Sequence, residues 1–200
     1  EKMAFPECVI SMSLEPKKSQ DRDKLSEVIG RITREDPTFR AMTNEATLVI
    51  IKPDAIRRGL MGAVLSRLEP LQLEMIGAKV VRVSRELAAE HYKPLRDKPF
   101  FNQLLDHLQG KLHQTPYVLA FVLRGPDAIE RVREVTGATH PEQAEPMTIR
   151  GSLGRMTESG VMENVVHASA DLREAEREIQ LWFKPPELFR DCVSAHQGVG

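Results

Sequence analysis

The run Thr47-Leu48-Val49-Ile50-Ile51-Lys52 constrains the fold of this chain more than any other stretch. It is apolar at successive positions, so a strand built from it has two faces to cover and belongs in the middle of a sheet. Pro53-Asp54 stops it, because proline has no N–H for a ladder. Downstream, Met61, Val64, Leu65 and Leu68 recur at helical spacing after Gly59, and Met75 to Val83 reads as a strand. Phe101, Leu104, Leu105 and Leu108 form a second helical stripe, Pro116 to Leu123 a strand, and Ile129, Val132 and Val135 another helix. The Gly- and Pro-rich connection from Gly137 to Glu163 is too long for mere linkage and is expected to be a functional loop. Asn164-Val165-Val166-His167 reads as a short strand. Asp171-Leu172-Arg173-Glu174 then opens a last helix in capping-box fashion and turns Ala175, Ile179 and Trp182 inward. Two βαβ-like halves with extra helices between them predict an α+β fold, a ferredoxin-like antiparallel sheet with covering helices.

Residues 1–46 read as a separate unit ahead of a domain spanning 47–200. Cys8, Ile10, Met12 and Leu14 alternate as in a strand, and Leu25, Val28, Ile29 and Ile32 recur as in a helix ended by Asp36-Pro37. Thr38 to Thr43 suggests a second short strand. Such a βαβ appendage lies near the lower size limit for independent folding.

With 28 basic against 29 acidic side chains, the chain offers no basic field for a nucleic-acid backbone. Its apolar runs fall short of the roughly 20 residues a membrane-spanning helix needs. The first residues lack a secretory layout, and Cys8 and Cys192 sit at opposite ends without metal-like spacing, so a cytoplasmic chain with free thiols is expected.

His167 is the first candidate for chemistry. It ends a buried strand just before a helix start, where backbone N–H groups favour an anion, and a neutral imidazole there could take up a phosphoryl group. Glu178, on the following helix, could hold the other ring nitrogen and fix the tautomer. The alternative for His167 is a satisfied edge or core histidine. Lys52, at the end of the central strand, can neutralise a phosphate oxygen or simply snorkel. Arg133 and Arg150 add cations, Thr139 and Asn164 add neutral hydrogen bonds, and Tyr92 and Phe100 flank Pro99, where an aromatic ring could stack on a base. Phosphoryl transfer needs mostly positioning and charge neutralisation, which this inventory supplies.

In order along the chain stand Ile51-Lys52-Pro53-Asp54-Ala55, Glu90-His91-Tyr92, Lys98-Pro99-Phe100-Phe101, Gly137-Ala138-Thr139-His140-Pro141, Thr148-Ile149-Arg150-Gly151, Asn164-Val165-Val166-His167 and Ala175-Glu176-Arg177-Glu178-Ile179. On these seven marks, residues 47 to 189 resemble the nucleoside diphosphate kinases. The resemblance implies a ping-pong transfer of the terminal phosphate from a nucleoside triphosphate to a diphosphate, with Mg2+ bridging the phosphates and no protein ligand assigned to it. His167 then becomes the phosphorylated nucleophile and Glu178 its orienting partner. Lys52, Tyr92, Arg133, Thr139, Arg150 and Asn164 fall on the phosphate, ribose and catalytic positions, and Phe100 with Val161 falls on the base-stacking clamp. A homo-oligomer is implied as well. The chain departs from the usual pattern at Glu163, where arginine is common, and at Ala168, where glycine is common. It also carries insertions around Gln109 to Thr115 and Arg155 to Gly160.

Phe5-Pro6-Glu7-Cys8-Val9-Ile10-Ser11, with Lys24-Leu25-Ser26-Glu27 and Glu35-Asp36-Pro37-Thr38-Phe39-Arg40, resembles the first half of elongation factor G domain III. No phosphate loop of the GTPase type occurs in the sequence, so a non-catalytic appendage is expected, with ribosome contact as the lesser option. The alternative for the whole chain is a kinase-like fold kept as a non-catalytic nucleotide-binding or ribosome-associated assembly protein.

Overall fold

The structure, a computed structural model, describes residues 44–189 together with Lys24, Glu27, Val28, Arg31 and Ile32. The chain divides into two units, Glu1–Thr43 and Asn44–Gly200. In the first unit the five described residues are helical, within the span where a helical stripe is predicted. The strands expected around Cys8–Leu14 and Thr38–Thr43, and both cysteines, lie outside the described residues.

In the second unit, numbering elements from Asn44, the order is β1 (Asn44–Ile51), α1 (Pro53–Arg57), α2 (Met61–Leu68), β2 (Glu74–Val81), α3 (Arg85–His91) and α4 (Phe101–Leu108). There follow β3 (Val118–Pro126), α5 (Ala128–Thr136), α6 (Ile149–Leu153), β4 (Arg155–Met156), β5 (Met162–Glu163), β6 (Val166–Ala168) and α7 (Leu172–Trp182). Four strands form one antiparallel sheet in the order β2-β3-β1-β6, the ferredoxin-like arrangement, and β4 pairs with β5 as a separate hairpin. No helix among the described residues is long and apolar enough to cross a membrane.

The central place of β1 follows from its two apolar faces. Val49 and Ile51 pack with Ala55 and Ile56 of α1, Val64 and Leu68 of α2, Val132 of α5 and Ile149 of α6. Leu48 and Ile50 pack on the opposite face with Ala88 of α3, Leu105 and Leu108 of α4 and Trp182 of α7. All four β1 residues are fully buried, each stabilising the fold by about 1.5–3 kcal/mol.

The strand starts at Asn44 rather than Thr47, because Asn44, Glu45 and Ala46 pair with Pro126, Gly125 and Arg124. Two further expectations are corrected. The stretch from Gly137 to Glu163 is not one loop: it holds α6 and the β4–β5 hairpin, elements too short to show a period. The strand expected over Asn164–His167 covers only Val166–Ala168, since Val165 has a positive φ of 70°.

The turn after α4 depends on one glycine. Gly110 has φ 74°, and a Cβ there would lie 1.7 Å from the Thr115 carbonyl oxygen, so no other residue fits. This turn carries His113, whose N–H donates to the Gly110 carbonyl (3.2 Å).

Candidate active site

β6 sets the site. Val166 and Ala168 belong to the α1, α2, α5 and α6 face, so alternation sends the His167 side chain between α3 and α7. There His167 Nε2 lies 2.8 Å from Glu178 Oε2. The same oxygen accepts the Ser169 hydroxyl (2.7 Å), and the Ser169 oxygen accepts the Leu48 N–H of the central strand (3.2 Å). Asp171 accepts the Glu174 N–H (2.8 Å), so α7 starts where the sequence predicts. That carboxylate occupies the Glu174 N–H, and the charges that act on His167 are those of side chains.

Those side chains are Lys52, Arg150, Arg177 and Arg133. Burial first, and then these four charges, push His167 well below its ordinary 6.5, so the ring is neutral at neutral pH. Glu178 is raised above the ordinary carboxylate value, chiefly by burial, with His91, Ser169 and Arg177 opposing. A carboxylate on Nε2 makes that nitrogen the protonated one and leaves the lone pair on Nδ1.

Lys52 is buried and donates to Asn164 Oδ1 (2.7 Å), while Asn164 Nδ2 donates to the Thr139 carbonyl (3.0 Å). Burial pulls the Lys52 ammonium down to about 8; Asp54 opposes this and Arg150 adds to it. Arg150 grips two carbonyls, those of Gly137 (2.8 Å) and Val166 (3.1 Å), and its buried Nε has no partner among the described residues. Burial and then Arg133 bring it down to about 10, still charged at neutral pH. Burial raises Tyr92, whose ring meets His91 edge-on at 4.7 Å.

Of the residues singled out in the sequence, His167, Glu178, Lys52, Asn164, Thr139, Arg150 and Arg133 are thus linked by hydrogen bonds or by mutual charge. Phe100 is 46% exposed and precedes α4, and Val161 lies in the β4–β5 turn, held by Thr157 (2.9 Å). Among the described residues, no hydrogen bond joins Phe100 and Val161 to each other.

Several contributors stand inside the quoted sequence marks without a role assigned to them there. His91 stacks edge-on against His167 with ring centroids 4.4 Å apart, takes the Trp182 indole N–H on Nδ1 (3.2 Å), and is itself pushed well below 6.5, first by burial. Arg177 ties α7 to α3 through the carbonyls of Glu90 and His91 (3.0 and 3.1 Å). Asp54 accepts the Val165 N–H (2.9 Å), and Lys52 N–H donates to the Val165 carbonyl (2.9 Å), so the left-handed residue is held from both sides. A β-branched residue at positive φ costs about 1–3 kcal/mol, and here it sits two positions before His167. Ala168, by contrast, lies in regular strand opposite Val49, so the missing glycine removes no freedom the backbone uses.

A family model for nucleoside diphosphate kinase matches residues 45–188, and one for elongation factor G domain III matches residues 5–51. A nucleoside diphosphate kinase of Pyrococcus horikoshii is 50% identical over 145 residues, which is 72% of this chain and 88% of that one. Among solved structures, the enzyme of Halobacterium salinarum in complex with CDP superposes with a TM-score of 0.66 at 40% identity, over 74% of this chain and 93% of that one. The Borrelia burgdorferi enzyme, a transition state mimic with vanadate and ADP, also gives 0.66, at 37% identity over 74% and 91% of the two chains.

Proposed function

This chain belongs to the nucleoside diphosphate kinase family and is a phosphotransferase acting on nucleotides, and from that premise we propose that His167 carries the phosphoryl group in a ping-pong exchange. The observation behind this reading is the His167 Nε2···Glu178 Oε2 contact of 2.8 Å inside a ring of cations. With Nε2 protonated and held, Nδ1 attacks the terminal phosphorus of a triphosphate. The Nδ1–P bond forms, the bond from phosphorus to the bridging oxygen breaks, and the diphosphate leaves. The imidazole becomes cationic as it attacks, and Glu178 stabilises that charge. A second diphosphate then attacks the phosphohistidine through its terminal phosphate oxygen, and the ring returns to neutral.

Lys52, Arg133 and Arg150 neutralise the phosphate oxygens, and the free Nε–H of Arg150 is a buried donor suited to an anion. Asn164 and Thr139 orient Lys52, and Tyr92 supports His91 from behind. Phe100 and Val161 are proposed to sandwich the base, a contact that tolerates every nucleobase because each has a π-face. That relatives were solved with CDP and with vanadate and ADP supports nucleotide binding by this chain. Mg2+ bound with the nucleotide would add charge neutralisation at the phosphates, beside that of Lys52, Arg133 and Arg150. The groups around His167 suit that mode, since they are mainly cationic and the Glu178 oxygen facing His167 already accepts two hydrogen bonds. Residence in the cytoplasm and a homo-oligomer complete the proposal. For the latter, the exposed apolar Val80 and Met75 on edge strand β2 are supporting observations. Residues 1–46 are read as a non-catalytic appendage.

The test is phosphorylation of the full chain with γ-labelled ATP. An acid-labile, base-stable label is expected; His167→Ala should lose it entirely, and Glu178→Gln should slow its formation by about 10²-fold through the loosened tautomer. A label that persists in His167→Ala removes the proposed nucleophile.

A further inference from the structure

A second buried group of ligating side chains is left unused by this reading. Asp54 of α1, His107 of α4 and His113 in the turn that follows each offer a ligand atom, and these atoms lie within 4.8 Å of one another. The Asp54 side chain is fully buried, and those of His107 and His113 are 9% exposed. Asp54 Oδ2 is taken by the Val165 N–H, so Oδ1 faces the histidines, 3.0 Å from His107 Nε2. The two imidazole rings meet at 4.9 Å. His113 Nδ1 lies 3.5 Å from Glu163 Oε1, and its Nε2 is buried with no hydrogen-bond partner among the described residues.

An Asp54–His107 hydrogen bond explains two of these residues and not the third. A buried ring nitrogen left unpaired costs about 1–3 kcal/mol, a cost that a bound ligand would offset.

We propose that Asp54, His107 and His113 form a Zn2+ site, with Asp54 Oδ1, His107 Nε2 and His113 Nε2 as ligands and Glu163 as the acceptor of the His113 Nδ1–H. Two imidazoles and one carboxylate suit zinc, whereas Mg2+ prefers oxygen throughout. The 3.0 Å separation of Oδ1 and Nε2 is close to the edge of about 3.3 Å in a tetrahedron with bonds of about 2.0 Å. A carboxylate on the far nitrogen of a ligating histidine is the usual outer support, and Arg155 fixes Glu163 for that role through its other oxygen (2.6 Å). The ion fastens the Gly110–Thr115 turn to Asp54, and through Asp54 to the backbone of Val165. Two of the participants, His113 and Glu163, are at places where this chain departs from the common family pattern.

The experiment titrates metal-stripped full-length chain with Zn2+ against a chromogenic chelator, beside His167→Gln, His113→Gln and Glu163→Gln. One tight equivalent is expected in the unaltered chain and in His167→Gln. It should weaken by more than about 100-fold in His113→Gln and by about 10–100-fold in Glu163→Gln. Co2+ gives an independent reading: intense visible bands of a tetrahedral site in the unaltered and His167→Gln chains, and none in His113→Gln. Circular dichroism checks folding, and should His113→Gln fail it, Glu163→Gln and the Co2+ spectrum of the unaltered chain decide. The proposal is overturned by an unaltered chain that takes up no zinc, by equal affinity in every variant, or by loss of the tight equivalent in His167→Gln.

Discussion

The two histidine clusters of this molecule use the same parts in opposite surroundings. His91, His167 and Glu178 on one side, and Asp54, His107 and His113 on the other, each bring two imidazoles and a buried carboxylate to within 4.8 Å. Around the first stand Lys52, Arg150, Arg177 and Arg133, which depress His167 and favour an anion such as a phosphate. Its carboxylate oxygen is already saturated by His167 and Ser169, and Trp182 fills the Nδ1 of His91. Around the second, a further carboxylate, Glu163, faces His113; each cluster leaves one buried imidazole nitrogen without a partner among the described residues, His91 Nε2 in the first and His113 Nε2 in the second. Residue type therefore decides little by itself. In the roles proposed above, the charge of the neighbours is what assigns a phosphoryl group to one histidine cluster and a cation to the other.

The two clusters meet at Asp54 and Lys52, and the largest expected effect probes that junction. Asp54→Ala strands the buried Val165 N–H and the His107 imidazole together, and is expected to lower unfolding free energy by about 3–5 kcal/mol in urea titrations. Asp54→Asn keeps an acceptor for Val165 and should cost clearly less. Equal losses in the two variants would show that the carboxylate charge, not the hydrogen bond to Val165, holds this corner.

A smaller effect separates the clusters by pH. Lys52 sits near pKa 8, so its charge is present at neutral pH and fades as pH rises through that value. The second-order rate of His167 phosphorylation by ATP should fall above pH 8 by up to about tenfold per unit. On the acid side the lowered His167 keeps its lone pair, so the rate should hold from pH 7.5 to 6.5. In Lys52→Gln the overall rate drops and the alkaline fall disappears. If the fall persists unchanged in that variant, another group controls it.

Much of this architecture is legible in the sequence because its causes are local. The doubly apolar β1 run announces a central strand, the stripes of α2, α4 and α5 announce helices, and Asp171 announces the start of α7. His167 and Glu178 are legible as a pair because strand and helix directions bring them together. What escapes notice depends on distance. Helix α3 is seven residues long, too short to show a period, and its local helix signal is the Ser84 cap. Asp54, His107 and His113 lie on three separate pieces of chain, and only the tertiary fold closes them into one cluster. The family pattern hides them further, since Asp54 counts there only as part of a motif and His113 falls in an insertion.

Val165 is the least legible residue of all, because no propensity places a β-branched side chain at a φ of 70°. Its conformation is imposed by Asp54 and Lys52 on its two backbone groups, and it lies between the clusters as the hinge of their geometry. The smallest expected effect isolates this strain. Val165→Ala and Val165→Gly both empty a fully buried site, so both lose stability, but only glycine is free of the left-handed penalty. In ordinary strand, glycine is the worse of the two; here Val165→Gly should be more stable than Val165→Ala by about 1 kcal/mol. Chemical denaturation of the two variants measures that difference directly. A glycine variant less stable than the alanine one would mean that the backbone relaxes when the side chain is removed, and that Asp54 and Lys52 do not impose the turn on which the position of His167 depends.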